Sequence, residues 1–170
     1  MGIAEVRAFF AQRGMEDQVL EFPVSSATVN LAAEALGVAP ARIAKSLSFK
    51  AEEGCILVVA AGDARVDNPA FRSQFQTKAR MLSPEEVLGK TGHAVGGVCP
   101  FALQRGVKVY LDVSLKRFDR VYPACGSANS AIALTPQELY RISDAEDWVD
   151  VCKGWRQEEE SGEGMKGERA

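Results

Sequence analysis

The sequence predicts an α+β domain built on a mixed sheet. Short apolar runs with strand-like alternation interleave with helical stripes, yet without a regular βαβ rhythm. Helix start signals recur through the chain, each followed by an apolar face. The 170 residues suffice for one well-filled core and argue against two.

Ile3, Val6, Phe9 and Phe10 form a helical stripe that Gly14 can end. The Val19-Leu-Glu-Phe22 stretch predicts a short strand ahead of Pro23. Thr28 is placed to cap a second helix, with Val29, Ala32, Ala33 and Leu36 on one face and a stop at Gly37. Residues 43–49 alternate like a half-buried strand, and Gly54 marks a turn into the continuous apolar run 56–61, a strand buried on both faces. Asn68-Pro69 opens a helix with proline in its first turn. Ser83-Pro-Glu-Glu86 and Thr135-Pro-Gln-Glu138 are capping boxes for two more. Between them, 107–113 alternates as a strand, and 131–134 predicts another. Residues 1–155 thus make one domain. From Arg156 the chain turns polar and Gly-rich without periodicity, which predicts a disordered tail over 156–170.

Composition excludes several functional classes. The net charge is −3, so the chain does not hold nucleic acid, and DNA in particular, by bulk electrostatics. The tail carries much of this acidity (Glu158, Glu159, Glu160, Glu163, Glu168), leaving a body close to neutral that tolerates contact with one end of an RNA. No apolar run approaches the roughly 20 residues of a membrane span, and the N-terminus lacks a signal-peptide core, so the expected location is the cytoplasm. Cys55, Cys99, Cys125 and Cys152 stand far apart with one histidine, His93, in the chain, which predicts neither a metal site nor a Ser-His-Asp device.

Two features suggest chemistry. Lys45 shares a strand face with Ile43, Leu47 and Phe49. There a lysine either meets a partner or opens into a cleft, unless it snorkels outward from the strand's start. The loop Gly92-His-Ala-Val-Gly-Gly-Val-Cys-Pro-Phe101 can adopt positive φ and aim backbone N–H groups at a phosphate or oxyanion, or can be a tight connection only. A third loop, 124–130, offers Ser127 or Asn129 to a pocket or is a plain turn. Asp112 alternates out of phase with Val109, Leu111 and Val113, which predicts a solvated acid, and His93 reads as a loop residue. Periodicity and spacing yield no reaction beyond this.

These segments, in order from about Ser25 to Ile142, resemble the YbaK/prolyl-tRNA-synthetase-associated family of aminoacyl-tRNA deacylases. Residues 28–37 resemble its leading helix, and Ile43-Ala-Lys45-Ser46 its I-x-K-[ST] strand, whose lysine is the family's hallmark. Segments 62–67, 78–86 and 91–102 follow in the family's order, with Gly96 to Pro100 fitting its G-x-x-x-P loop; Asp112 and Pro123-Ala-Cys-Gly126-Ser127 complete the series. Where many members carry Ser before the loop proline this chain has Cys99, and Ala27 stands where many have His, so the amino acid removed stays open.

The resemblance implies a mixed sheet curled towards a barrel with helices around it, and a cleft between Lys45 and the 96–100 loop. It implies no cofactor and no metal. The implied substrate is the ester joining an amino acid to the terminal adenosine of tRNA, met at the 3′ end, with an aminoacyl-tRNA synthetase as a further partner. The catalytic residues on this reading are Lys45, Gly96, Gly97, Val98 and Cys99, with substrate contacts at Thr28, Ser46, Pro100, Asp112, Gly126 and Ser127. The N–H groups of Gly97, Val98 and Cys99 would form an oxyanion hole. Lys45 would hold the terminal phosphate or the carbonyl by charge rather than act as a base, since an ordinary lysine titrates near ~10.4. Water is the expected nucleophile. The competing ideas are Cys99 as a covalent nucleophile, and a module that binds charged tRNA or a synthetase without hydrolysis.

Overall fold

The computed structural model describes residues 2–156; the tail expected over 156–170 lies outside them except for Arg156. In chain order the elements are α1 (Ile3–Ala11), β1 (Leu20–Glu21), α2 (Val29–Leu36), β2 (Ile43–Lys50), β3 (Cys55–Ala61), β4 (Arg65–Val66), α3 (Asn68–Phe75), α4 (Pro84–Thr91), β5 (Val107–Asp112), β6 (Tyr122–Pro123), β7 (Ser130–Ala131), α5 (Pro136–Ile142), β8 (Asp147–Val149) and β9 (Cys152–Lys153). This is the α+β arrangement the patterning predicts. A five-stranded sheet runs β6-β2-β3-β5-β8, and the pairs β1-β7 and β4-β9 flank it. Within it β2 and β3 are antiparallel, from Ala44↔Ala61 to Lys50↔Cys55, while the other neighbours run parallel.

The central strand β3 is buried along its whole length, as a continuous apolar run demands. Because strand side chains alternate, β2 and β3 present two different faces. Phe49 lies on one, its ring tilted against Phe71 of α3 with centroids 4.7 Å apart; Phe71 meets Phe75 at 4.6 Å, and Phe75 meets Tyr110 of β5 edge-on at 4.9 Å. The opposite face carries Ser46 and Ser48 and, across the ladder, Val59 and Leu57. Its far end, Cys55, packs with Leu82 and Val87 of the α4 region, with Val98 beside them.

Local chemistry sets the helix boundaries. The Thr28 hydroxyl accepts the Leu31 N–H at 3.2 Å, and Gly37 closes α2 in the left-handed region. Both capping boxes form reciprocally: Ser83 with Glu86 at 2.8 and 3.2 Å, Thr135 with Glu138 at 2.9 and 3.0 Å.

Two expectations are corrected. The strand predicted over 131–134 changes partner midway. Ala131 pairs with Leu20 of β1, whereas Leu134 and Val121 exchange hydrogen bonds of 3.0 and 2.8 Å. Alternation marks extended chain but not which neighbour it joins. Asp112 is fully buried, not solvated, and accepts the N–H groups of Ser114 and Val151 at 2.9 Å each. Parity shows which way a side chain leaves a strand; whether later chain covers that side is a tertiary matter. Replacing Asp112 with alanine should cost about 3 kcal/mol in denaturant-derived stability, because two buried N–H donors lose their acceptor. The Asp112→Asn variant should lie between it and wild type.

Candidate functional site

A cavity of about 360 Å³ opens beside β2. One wall is Ile43 to Ser46 with Ser48, and the second is Ser26 to Val29, the lead into α2. Val95, Gly96 and Val98 from the loop between α4 and β5 form the third, while Leu82 and Val87 close one end and Tyr122, Ala124 and Ser130 the other. The walls are mostly small or apolar. Among the described residues, Lys45 is the one formally charged residue in the lining.

The 92–101 loop takes its shape from glycine. Gly97 N–H donates to the Ala94 carbonyl at 3.0 Å, closing a four-residue turn whose third residue, Gly96, has φ +96. Gly97 lies flat on the next loop: a Cβ there would stand 2.7 Å from the Gly126 carbonyl carbon and the Ser127 nitrogen. Gly126 in turn rests on Gly2 at the start of α1, where an added Cβ would meet the Gly2 carbonyl carbon at 2.6 Å. Three backbones thus stack directly behind the cavity wall. The N–H groups of Val98 and Cys99 have no acceptor among the described residues.

Lys45 is half-buried. Its ammonium donates to the carbonyls of Gly62, at 3.3 Å, and Ala64, in the connection that follows β3. Burial holds its pKa below the ordinary lysine value, with Arg65 acting the same way and Asp63 opposing. Asp63 is itself gripped by both terminal nitrogens of Arg117, at 3.1 and 2.6 Å. The lysine is therefore a partnered cation on the α3 face of β2, with its residue at the edge of the cavity.

His93 and Cys99 come together behind the loop. Cys99 Sγ lies 3.6 Å from His93 Nε2 and 3.8 Å from the Phe101 carbonyl. Nε2 is 2.7 Å from that same carbonyl, an acceptor only, so it carries the proton and donates. Burial pushes the Cys99 thiol up to about 12 and lowers His93, although its bond to Phe101 resists the latter. A protonated thiol with no free base beside it is a packing group. If the chain deacylates tRNA as its sequence resemblance implies, Cys99→Ser should therefore keep that activity within about threefold of wild type, as single-turnover assays would read. A loss of about 1000-fold with the fold intact would restore the nucleophile.

Lys45, Ser46, Thr28, Gly96 and Val98 all line the cavity. Gly97 and Gly126 stand behind the wall, and Cys99 is buried. Pro100 is buried as well, outside the lining. Ser127 hydroxyl, 2.8 Å from Ser130 Oγ, braces the 124–130 loop, and Asp112 is occupied elsewhere. The sequence reading missed Ser26, Ser48 and Met81. A visible signal existed for Ser48: with Ser46 it puts hydroxyls on one face of a strand that is otherwise apolar.

The family model of the aminoacyl-tRNA editing domain matches residues 24–142. An uncharacterised protein of Bacillus subtilis strain 168, YwhH, is 59% identical over 156 residues, covering 91% of this chain and 99% of that one. The proline–tRNA ligase of Thermotoga maritima is 31% identical over 116 residues, covering 66% of this chain but 20% of the ligase. A crystal structure proposed as a trans-editing enzyme for prolyl-tRNA synthetase superposes with a TM-score of 0.81 at 32% identity, covering 89% of this chain and 97% of that one. With the matched segment spanning the cavity walls, the glycine loop and the Lys45 strand, the chain belongs to the aminoacyl-tRNA editing domain family.

Proposed function

We propose that the chain is a trans-editing deacylase that hydrolyses the ester of a mischarged tRNA carrying a small amino acid, a cytoplasmic safeguard of translation fidelity. The observation that carries this reading is the cavity itself: about 360 Å³, walled by small residues and hydroxyls, between the Lys45 strand and the glycine loop. Family membership, and likeness to part of a proline–tRNA ligase, support the substrate class. A synthetase holding the body of the tRNA is the corresponding partner, since the protein has no excess of positive charge with which to hold it.

The chemistry is hydrolysis by positioned polar groups. Water adds to the ester carbonyl, and the oxyanion of the tetrahedral intermediate takes hydrogen bonds from the loop. Gly97 N–H is already used inside the turn, so the donors left are Val98 and Cys99, with Val98 on the cavity wall. One such donor is typically worth about 10²–10³ in rate. Collapse of the intermediate expels the ribose oxygen and frees the amino acid. The cavity is lined by no carboxylate and no histidine, so the water's proton is relayed by solvent or the neighbouring ribose hydroxyl to the departing ribose oxygen, which leaves as an alcohol. Lys45 stands at the cavity edge with its ammonium held by the Gly62 and Ala64 carbonyls, so its charge acts on a bound phosphate or carbonyl through space rather than by direct contact. Selection by size is what a second sieve requires, because one methylene is worth only about 1–3 kcal/mol in the synthetase's own pocket.

The test is deacylation of a panel of tRNAs mischarged with alanine, serine or cysteine, wild type beside Lys45→Ala. Release of one amino acid by wild type, lost in the variant, supports the enzyme and names its substrate. Binding of a charged tRNA without release from any of them would make the chain a recognition module instead.

A further inference from the structure

The edge of β2 has a gap one residue long. In an antiparallel ladder each residue turns its N–H and C=O to the same side, and the side alternates along the strand. Lys50 N–H donates outward to the Arg80 carbonyl at 2.7 Å, and the Ser48 carbonyl accepts the Leu82 N–H at 3.1 Å. The even-numbered residues of β2 therefore face its outer edge. At the other end of the strand, β6 pairs with Ile43 and Ala44 and goes no further. Ser46 lies between these two attachments. Among the described residues nothing pairs with its main-chain groups, which turn towards the cavity that Ser46 lines.

Two side chains lining the same cavity, one from each of two walls, are also unsatisfied. Ser46 Oγ and Ser26 Oγ are buried without a hydrogen-bond partner among the described residues, and Ser26 is 7% exposed. Buried hydroxyls without partners are rare and costly, which marks a place where a ligand completes the bonding. The Ser46 carbonyl and the two hydroxyls make three neutral acceptors on one cavity, with no carboxylate among its lining residues.

We propose that Ser46 and Ser26 read the α-amino group of the aminoacyl ester. Its ammonium has three N–H donors, matched by the Ser46 carbonyl, Ser46 Oγ and Ser26 Oγ. The aminoacyl group then completes the sheet edge as a single added strand residue would. This rests on the cavity taking an aminoacyl-adenosine end, as proposed above. It makes both serines specificity-determining: they select an α-amino acid ester over an ester of a simple carboxylic acid of equal size.

The experiment compares two non-hydrolysable amides, 3′-(L-alanylamino)-3′-deoxyadenosine and its 3′-propionylamino counterpart, which lacks only the amino group. Each is titrated into isotopically labelled protein and followed by NMR, for wild type, Ser46→Ala and Ser26→Ala, with melting temperature as the fold control. Wild type is expected to bind the alanyl amide about 10-fold more tightly. Each variant should shrink that ratio by roughly threefold while melting normally. Equal binding of the two amides by wild type, or an unchanged ratio in both variants, overturns the assignment of the serines and leaves the cavity's function standing. No binding of either amide overturns the aminoacyl-adenosine reading and the assignment with it.

Discussion

Lys45→Ala is expected to lower kcat/KM for a mischarged tRNA by about 100-fold or more while the protein keeps its fold. The loss follows because Lys45 puts the one formal positive charge at the edge of a cavity that must accept a polyanion's end, while its ammonium fixes the connection after β3 through the Gly62 and Ala64 carbonyls. The fold survives because the connection that Lys45 holds, through the carbonyls of Gly62 and Ala64, has a second clasp in Arg117 and Asp63. A stability loss of about 2 kcal/mol is the expected cost of leaving those two carbonyls without their charged donor. Two further variants separate charge from packing. Lys45→Met keeps the stem and should remain inactive, and Lys45→Arg keeps the charge and should recover part of the rate. Wild-type turnover by Lys45→Met would remove the lysine from the mechanism, whatever its effect on stability.

Gly97→Ala should cost about 3 kcal/mol in stability and most of the activity with it. The added methyl group would enter space already held by the Gly126–Ser127 peptide, at 2.7 Å, and backbone cannot turn aside as a side chain can. The strain is passed on because Gly126 is itself pressed against Gly2. Opening this stack moves Val98 and Cys99, whose N–H groups are the oxyanion donors proposed here. Gly96→Ala is the informative partner. Its Cβ would come to 3.4 Å from Ala27 Cβ, an easier contact, and its main penalty is the left-handed φ of +96. Milder destabilisation, about 1 kcal/mol, is expected there. If Gly97→Ala melts like wild type, the stacked glycines are not what holds the loop. Urea unfolding, with deacylation measured per folded molecule, reads both effects.

The legibility of the fold divides along physical lines. Helices whose ends are set by neighbouring residues were readable: Thr28, Ser83 and Thr135 each cap within three residues of their own position, and the structure forms all three caps. Strands long enough to show a pattern were readable too: β2 and β5 by alternation, β3 by its continuous apolar run. The two- and three-residue strands β4, β6, β8 and β9 carry no period to detect and exist because a neighbour supplies hydrogen bonds. The 131–134 segment shows the same limit, since its extended chain divides between two partners.

The candidate site divides in the same way. By itself the sequence determined an α+β domain, an unusual lysine on a strand and a glycine loop able to bend, because propensity, capping and alternation act within a few residues. The tertiary structure alone decided that Lys45 spends its charge on the Gly62 and Ala64 carbonyls, that Gly97 lies against Gly126, and that Asp112 is sealed inside. It alone left the outer-edge main-chain groups of Ser46 without a partner between β6 and the 80–82 segment. Each of these depends on which distant backbone arrives beside a residue, and that is set by the packing of the whole chain rather than by its local order.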